Sequence, residues 1–288
     1  MVRRATCRQS SRETQWELNN NTNYKIGIIG KGFVGSAVSN GFNRNVDQFI
    51  VDPKINDNTI EQLVQNFSPP LCFVCVPTPK QDNGEVDVSY VKEVLDTLSE
   101  LQYKGIVIVK STITPDHLIN FKKVYKNTKV VYNPEFLTEA NSFQDFVNPN
   151  MQILGGKWRD CEVVEKAYLR YSSVKVVPTF KVDLITASLI KYTINSWLAT
   201  KVVFFNELHK LHSKSGSHSS WEQFVDMLTR DPRIGDSHMS VPGPDGKFGY
   251  GGHCFPKDTE ALLYYANQQG VDMSQLKHAV KRNKKIRK

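Results

Sequence analysis

Short apolar runs recur along the first two thirds of the chain, separated by segments with helical spacing. Tyr24–Ile29, Phe49–Val51, Leu71–Val76, Ile106–Val109, Val130–Tyr132, Gln152–Leu154 and Val174–Val177 are predicted strands. Between them, segments such as Val88–Leu101 space their apolar residues as helices do. This alternation predicts an α/β fold, a doubly wound parallel sheet with helices on both faces. From Asp183 the pattern changes: residues 183–212 contain neither Gly nor Pro and predict one long helix. The remainder of the chain is expected to be helical apart from a loop over 231–253. The expected organisation is a polar, disordered tail (1–23), an α/β unit (24–180), a helical unit (181–280) and a basic tail (281–288).

Composition adds limits. At 288 residues the chain can bury two cores, and no apolar run is long enough to span a bilayer. The formal charge of +8 suits an anionic ligand, but most of the surplus sits in Lys281–Lys288, which reads as a solvated tail rather than a nucleic-acid site. Arg3, Arg4, Arg8 and Arg12 give the first residues an organelle-targeting flavour that Glu13 and Glu17 spoil. The cysteines are odd in number, five, and no secretory segment precedes them, so a reducing cytoplasm is expected. Cys72 and Cys75 form a C-x-x-C pair, a redox or zinc spacing elsewhere. Here they lie in one apolar strand, where residues three apart face opposite ways, so both are expected in the core. His209 and His212, three apart on a helix, lack a third convincing ligand and are expected to be surface histidines; no metal is expected.

The first strand runs into Gly30-Lys-Gly32-Phe33-Val34-Gly35 and then a helix, the context in which G-x-G-x-x-G binds a dinucleotide. The first Gly makes the turn, the second admits a pyrophosphate and the third lets helix pack on strand. Asp52, at the end of the next strand, would accept the ribose hydroxyls, which favours NAD; Lys54 nearby keeps NADP open. A Rossmann-like unit binding NAD is the expectation.

Such sheets bind ligands beyond the carboxyl ends of their strands. Three predicted strands end there in polar or rigid residues: Pro77-Thr78-Pro79, Lys110-Ser111-Thr112 and Asn133-Pro134-Glu135. Each alone reads as turn punctuation; together they suggest a reaction centre with Thr112 and Glu135. On the long helix Lys191 and Asn195 share a face, where a lysine is ordinarily solvated but can also hold an oxyanion. Last comes Phe248-Gly-Tyr-Gly-Gly-His-Cys254-Phe-Pro-Lys-Asp258. Its glycines let backbone approach a ligand, and Pro256 suits a first helical turn. Cys254 at a helix start is expected to have a lowered thiol pKa, with Asp258 one turn on. A buried structural cysteine in a Gly-rich turn is the plain alternative.

Together these segments, with Phe205-Asn-Glu207 and Asp231-Pro-Arg-Ile-Gly235, resemble the UDP-glucose/GDP-mannose dehydrogenase family from about residue 24 to 262. The resemblance implies oxidation of the C6 alcohol of a nucleotide sugar to a carboxylate with reduction of two NAD+. It implies Cys254 as nucleophile, Lys191 and Asn195 at the oxyanion, Asp258 orienting a water or assisting proton transfer, and Thr112 and Glu135 near the hydrolytic water. Cofactor contacts would come from Gly30–Gly35, Asp52, Lys54, Pro77, Thr78, Thr112 and Glu139. Substrate contacts would come from Glu135, Phe136, Leu137, Lys191, Asn195, Phe248, Gly249 and Gly251, with Arg233 reaching in from a neighbouring subunit of a homodimer built on the long helix.

Relatives continue into a further nucleotide-binding domain, and the loop 237–248 is longer here than in many of them, which bears on the sugar. UDP-glucose is the first choice, with GDP-mannose and a UDP-N-acetylhexosamine as alternatives. Two rivals remain. A two-electron hydroxyacid dehydrogenase would pair a similar Lys-x-x-x-Asn with a Rossmann unit but needs no thiol. A non-catalytic remnant would hold NAD or pair with a full-length partner.

Overall fold

The computed structural model describes residues 23–138 and 141–287. Within them, seven strands form one sheet: β1 (Tyr24–Ile29), β2 (Val46–Val51), β3 (Leu71–Val74), β4 (Ile106–Val109), β5 (Lys129–Tyr132), β6 (Gln152–Gly156) and β7 (Thr179–Val182), in the order β2-β1-β3-β4-β5-β6-β7. Strands β1 to β5 are mutually parallel; the central strands β1, β3 and β4 are buried on both faces, which is why they read as apolar runs, while β2 forms the partly exposed edge. Residues on alternate sides separate cleanly. Ile29, Cys72, Val74, Val107 and Val109 pack beneath α3 (Ser89–Glu100) and α4 (Pro115–Val124). Ile26, Ile28, Phe73 and Ile108 pack beneath α1 (Phe33–Gly41), α5 (Ser142–Val147) and α6 (Trp158–Tyr171). The short helix α2 (Ile60–Gln62) continues as one wider turn over Leu63–Phe67. Cys72 and Cys75 lie against opposite clusters, as their spacing requires, and both thiols are free.

Two details depart from the sequence reading. β6 pairs with β5 antiparallel, through Val131 opposite Gly156 and Tyr132 opposite Gly155, so the sheet is mixed at that end. Among its described residues, the connection from β5 holds the short α5 alone, whose Phe146 packs against Gly41, and the chain returns beside the strand it left. The last strand is also not Val174–Val177. Lys175 N–H bonds the Val147 carbonyl at 2.8 Å, away from the ladder, and Val176 is 77% exposed. Pro178 has no N–H to offer; its carbonyl accepts from Gln152 N–H at 3.0 Å, and β7 begins immediately after.

The helical part is built on α7 (Leu184–His212). Asp183 caps it, accepting from Thr186 N–H at 2.9 Å and Thr186 O–H at 2.6 Å. Helices α8 (Trp221–Thr229), α9 (Cys254–Gln268) and α10 (Ser274–Ile286) come next, α8 opening with a capping box between Ser220 and Gln223. The described part of the basic run, 281–287, is not a solvated tail. Leu276, Ala279, Val280 and Asn283 form one buried stripe, so α10 extends through the run to Ile286. Three of its cations have partners: Arg282 with Glu207 at 2.6 Å, Lys284 with Glu260 at 2.8 Å, and Arg287 with Asp245. Nor are His209 and His212 merely surface residues: they are half-buried, with ring centroids 5.0 Å and 5.7 Å from Trp221. No helix of the described residues is long and apolar enough to cross a membrane. Residues 1–22, with Cys7 and the arginines of the predicted tail, lie outside the described residues, as do Glu139 and Lys288.

Candidate active site

At the carboxyl end of β1 the backbone turns through Gly30 (φ +85°), where a Cβ would also stand 2.9 Å from the Cys75 carbonyl oxygen. A Cβ on Gly35 would lie 1.9 Å from Gly30 O, so only glycine lets α1 sit this close to the turn. Gly32 differs: nothing lies within 4 Å of its missing Cβ. Its backbone borders open space at the start of α1, where the N–H groups of Phe33, Val34 and Gly35 belong to the unbonded first turn. Asp52 joins the turn to the end of β2, its carboxylate accepting from Lys31 N–H at 2.6 Å and Lys54 N–H at 2.9 Å. An open glycine cradle beside a half-exposed carboxylate fits the pyrophosphate and ribose of a dinucleotide. Lys54 is exposed and contributes its backbone to this turn; Pro77 is exposed and Thr78 buried in the loop after β3.

Beyond β4 and β5 the chain brings several charged side chains together in the interior. Lys191 is 1% exposed and Glu135 6%. Lys191 Nζ donates to the Glu135 carbonyl at 2.5 Å and to its carboxylate at 3.3 Å, while Leu137 N–H donates to the other carboxylate oxygen at 2.6 Å. One turn along α7, Asn195 Nδ2 donates to Asp258 at 2.5 Å, and Lys257 Nζ meets the second Asp258 oxygen at 2.6 Å. Ser188, a turn earlier, donates to the Ile113 carbonyl at 2.7 Å, beside half-buried Thr112. The shared face predicted for Lys191 and Asn195 thus anchors both the strand-end strap and α9.

Sequence reasoning left Lys110 unassigned. It is 3% exposed, and its Nζ donates to Asn133 Oδ1 at 3.0 Å, an oxygen that also accepts from Tyr168 O–H at 2.7 Å. Asn133 Nδ2 donates to the Ile153 carbonyl at 2.8 Å, so this amide fixes the start of the Asn133–Glu135 strap. Burial brings the Lys110 ammonium down to about 8, against the opposing pull of Cys75 and Glu135. The signal was available: a lysine ending a strand with four wholly apolar residues cannot easily escape to solvent.

Cys254 is the first residue of α9, with Pro256 inside the first turn, as expected. Its thiol is half-buried, and here the sequence reading needs correction. Burial, aided by the Glu135 and Asp258 carboxylates, raises its pKa above the ordinary value; Lys191 and Lys257 pull the other way without reversing it. Accordingly, the rate of iodoacetamide alkylation of Cys254 should rise with pH through a midpoint above that of free cysteine, because only the thiolate reacts. Asp258→Asn should move that midpoint down. A wild-type midpoint below that of free cysteine would restore the helix-end reading.

Phe136 and Leu137 are half-buried, and the Lys191 ammonium lies 5.4 Å from the Phe136 ring centre. Phe248 is exposed, Gly249 buried and Gly251 half-buried. Arg233 stands apart on the surface, its guanidinium held by Asp231.

This geometry has counterparts among known proteins. Residues 65–172 match the NAD binding domain of the UDP-glucose/GDP-mannose dehydrogenase family, and residues 185–285 match that family's central domain. A UDP-glucose 6-dehydrogenase of Rickettsia felis is 36% identical over 220 residues, which cover 74% of this chain and 47% of the relative. One from Campylobacter jejuni is 28% identical over 295 residues, covering 92% of this chain and 72% of its own. Among solved structures, a UDP-glucose dehydrogenase from the archaeon Pyrobaculum islandicum shares the fold with a TM-score of 0.78 at 23% identity, covering 93% of this chain and 70% of that one. The chain spans about half the length of the Rickettsia relatives it matches. With two family domains matched in order, on a fold that supplies a dinucleotide cradle and a buried charged centre, the chain belongs to the UDP-glucose/GDP-mannose dehydrogenase family.

Proposed function

We propose that the chain is an NAD-dependent nucleotide-sugar 6-dehydrogenase, acting on UDP-glucose to give UDP-glucuronate. The observation that carries this reading is the meeting of Cys254, Lys191, Asn195, Asp258 and Glu135 in one electrostatic neighbourhood beyond the sheet. The glycine cradle, Asp52 and the loop after β3 would hold NAD, with the Glu139 contact standing as the resemblance implies; NAD, when bound, takes up the hydride in each of the two oxidations.

The chain's own groups do the rest. Removal of hydride from C6 and a proton from its hydroxyl leaves an aldehyde. Cys254 Sγ adds to that carbon, its proton passing to Asp258 or solvent and the former carbonyl oxygen becoming an oxyanion or hydroxyl. Loss of the second hydride and the hydroxyl proton gives a thioester on Sγ. Water adds between Thr112 and Glu135, the C–S bond breaks, and carboxylate leaves with the thiol restored. Lys191 has three N–H donors, two of them occupied by Glu135, and Asn195 has two with one on Asp258; each retains a donor for the developing oxyanion. A thiol pushed up by burial remains protonated until substrate enters, which limits its oxidation, and we assign the chain to the reducing cytoplasm.

Phe136, Leu137 and the Phe248–Gly251 backbone line the sugar side. Exposed Ile185, Leu189, Trp197, Phe204 and Leu211 run along α7, the last three seven residues apart, and supply the apolar seam of a homodimer from which a partner's arginine at position 233 reaches the substrate. We place the domain boundary near residue 180, at the passage from the sheet to α7.

The test is NADH yield per nucleotide sugar. Two NADH per UDP-glucose are expected, with GDP-mannose and UDP-N-acetylhexosamines as the other substrate arms. One NADH per substrate would favour the two-electron rival. Measurable NAD binding without turnover on any arm would favour a remnant.

A further inference from the structure

Two glycines of the Phe248–His253 loop, Gly249 and Gly251, face the last helix and its end. A Cβ on Gly249 would stand 2.4 Å from Asn283 Oδ1, and one on Gly251 would stand 2.0 Å from an Arg287 guanidinium nitrogen. Gly249 is also left-handed (φ +71°). These glycines therefore admit side chains of this same molecule, whatever else they admit.

What those side chains do is specific. Asn283, 6% exposed, pairs with both backbone polar groups of Tyr250: Tyr250 N–H donates to Oδ1 at 2.8 Å and Asn283 Nδ2 donates to the Tyr250 carbonyl at 2.9 Å. The preceding amide, Gly249 N–H, donates to Asn206 Oδ1 of α7 at 2.9 Å, and Asn206 is itself oriented by its Nδ2 bond to Val202 O at 2.8 Å. Arg287 donates to the Gly249 carbonyl at 3.3 Å and pairs with Asp245 in the preceding loop. Two successive residues of an irregular segment thus have N–H and C=O groups satisfied by side chains from two helices, the arrangement that fixes a loop in one conformation. α10 is in turn fastened beside Asn283 by Arg282 to Glu207 of α7 and by Lys284 to Glu260 of α9; Glu260 also pairs with Lys80, just beyond Pro77 and Thr78, at 2.5 Å.

We infer that α10 is a working part of the active centre, with Asn283 and Arg287 as positioning residues that hold the Phe248–His253 loop and, through it, set Cys254 for addition to the sugar aldehyde. The catalytic consequence rests on the function proposed above. The first oxidation, from alcohol to aldehyde, needs no sulfur bond. The second needs Sγ on C6. A loosened loop therefore uncouples the two: aldehyde forms, then escapes before the thiol captures it.

The experiment compares the full chain with Asn283→Leu, which removes both bonds to Tyr250, and with Arg287→Met and Arg287→Lys. Three readouts are taken: site-resolved iodoacetamide alkylation of Cys254, amide hydrogen exchange at Gly249 and Tyr250, and NADH per nucleotide sugar with trapping of free aldehyde. Expected for Asn283→Leu is about tenfold faster alkylation as burial of the thiol is relieved, with faster exchange at both amides. NADH per sugar should fall from two toward one with aldehyde released, while NAD affinity is kept. Arg287→Met should move the same readouts less far, and Arg287→Lys should recover part of the loss. Should Asn283→Leu fail to fold, the Arg287 pair decides alone. Alkylation and exchange within twofold of wild type in every folded variant overturn the inference. These two readouts need no turnover, so a wild type inactive on every nucleotide sugar would defeat the proposed function while leaving this inference to be judged.

Discussion

Cys254→Ser is expected to bind NAD as the wild type does yet form carboxylate at least about 10³-fold more slowly, since a serine hydroxyl is far harder to ionise than a thiol and none of the neighbouring groups compensates. The cations that oppose burial at this position, Lys191 and Lys257, do not bring even the thiol down to its ordinary value. They cannot ionise an alcohol. The first hydride transfer should survive, so a single-turnover measurement should show NADH from the first oxidation and aldehyde, without acid. Steady-state acid production near the wild-type rate would remove sulfur from the chemistry and leave Cys254 as the structural residue of a glycine-rich turn.

The second large effect is expected at Lys191. Lys191→Met keeps length and apolar stem but removes the donor from a carboxylate and a carbonyl that are both shut away from water. An uncompensated buried charge of this kind costs about 3–5 kcal/mol, readable as a lowered urea midpoint with unchanged slope. Glu135 would retain its bond from Leu137 N–H, and Lys110 would remain nearby, which argues for the lower part of that range. The double variant Lys191→Met with Glu135→Gln should recover much of the stability, because the charge that needed a partner has gone. It should recover none of the turnover, where loss of an oxyanion donor is worth about 10²–10³ in kcat. Equal stability of the two variants would mean that the Glu135 charge is not what Lys191→Met leaves uncompensated.

The sheet and cradle were legible because their signals are local. A strand buried on both faces is a run of apolar residues, and G-x-G-x-x-G carries its reason in backbone sterics. Lys191 and Asn195 were legible as one face of a helix. What escaped depends on partners distant in sequence. The thiol's position at a helix start was readable, but its pKa is set by burial and by carboxylates at 135 and 258. β7 was misplaced because a valine-rich segment, Val174–Val177, competed with Thr179–Val182, and the bond from Lys175 N–H to Val147 holds that segment away from the ladder. The run Lys281–Lys288 was read by charge, which hid the spacing of Leu276, Ala279, Val280 and Asn283. An uncharged amide continuing an apolar stripe through a basic run was the cue to α10 and its role.

α7 has a consequence for how this lineage can vary in length. It carries Ser188 to the strap after β4, Lys191 to the strap after β5, Asn195 to α9 and Asn206 to the glycine loop. A rise of 1.5 Å per residue puts the first and last of these about 27 Å apart on one rigid axis. One residue gained or lost between them would turn every later anchor by about 100° and swing it off its target. Indels can therefore accumulate in the turns around 213–220 and 237–248, while the rod between Ser188 and Asn206 keeps its residue count as a gauge block keeps its length.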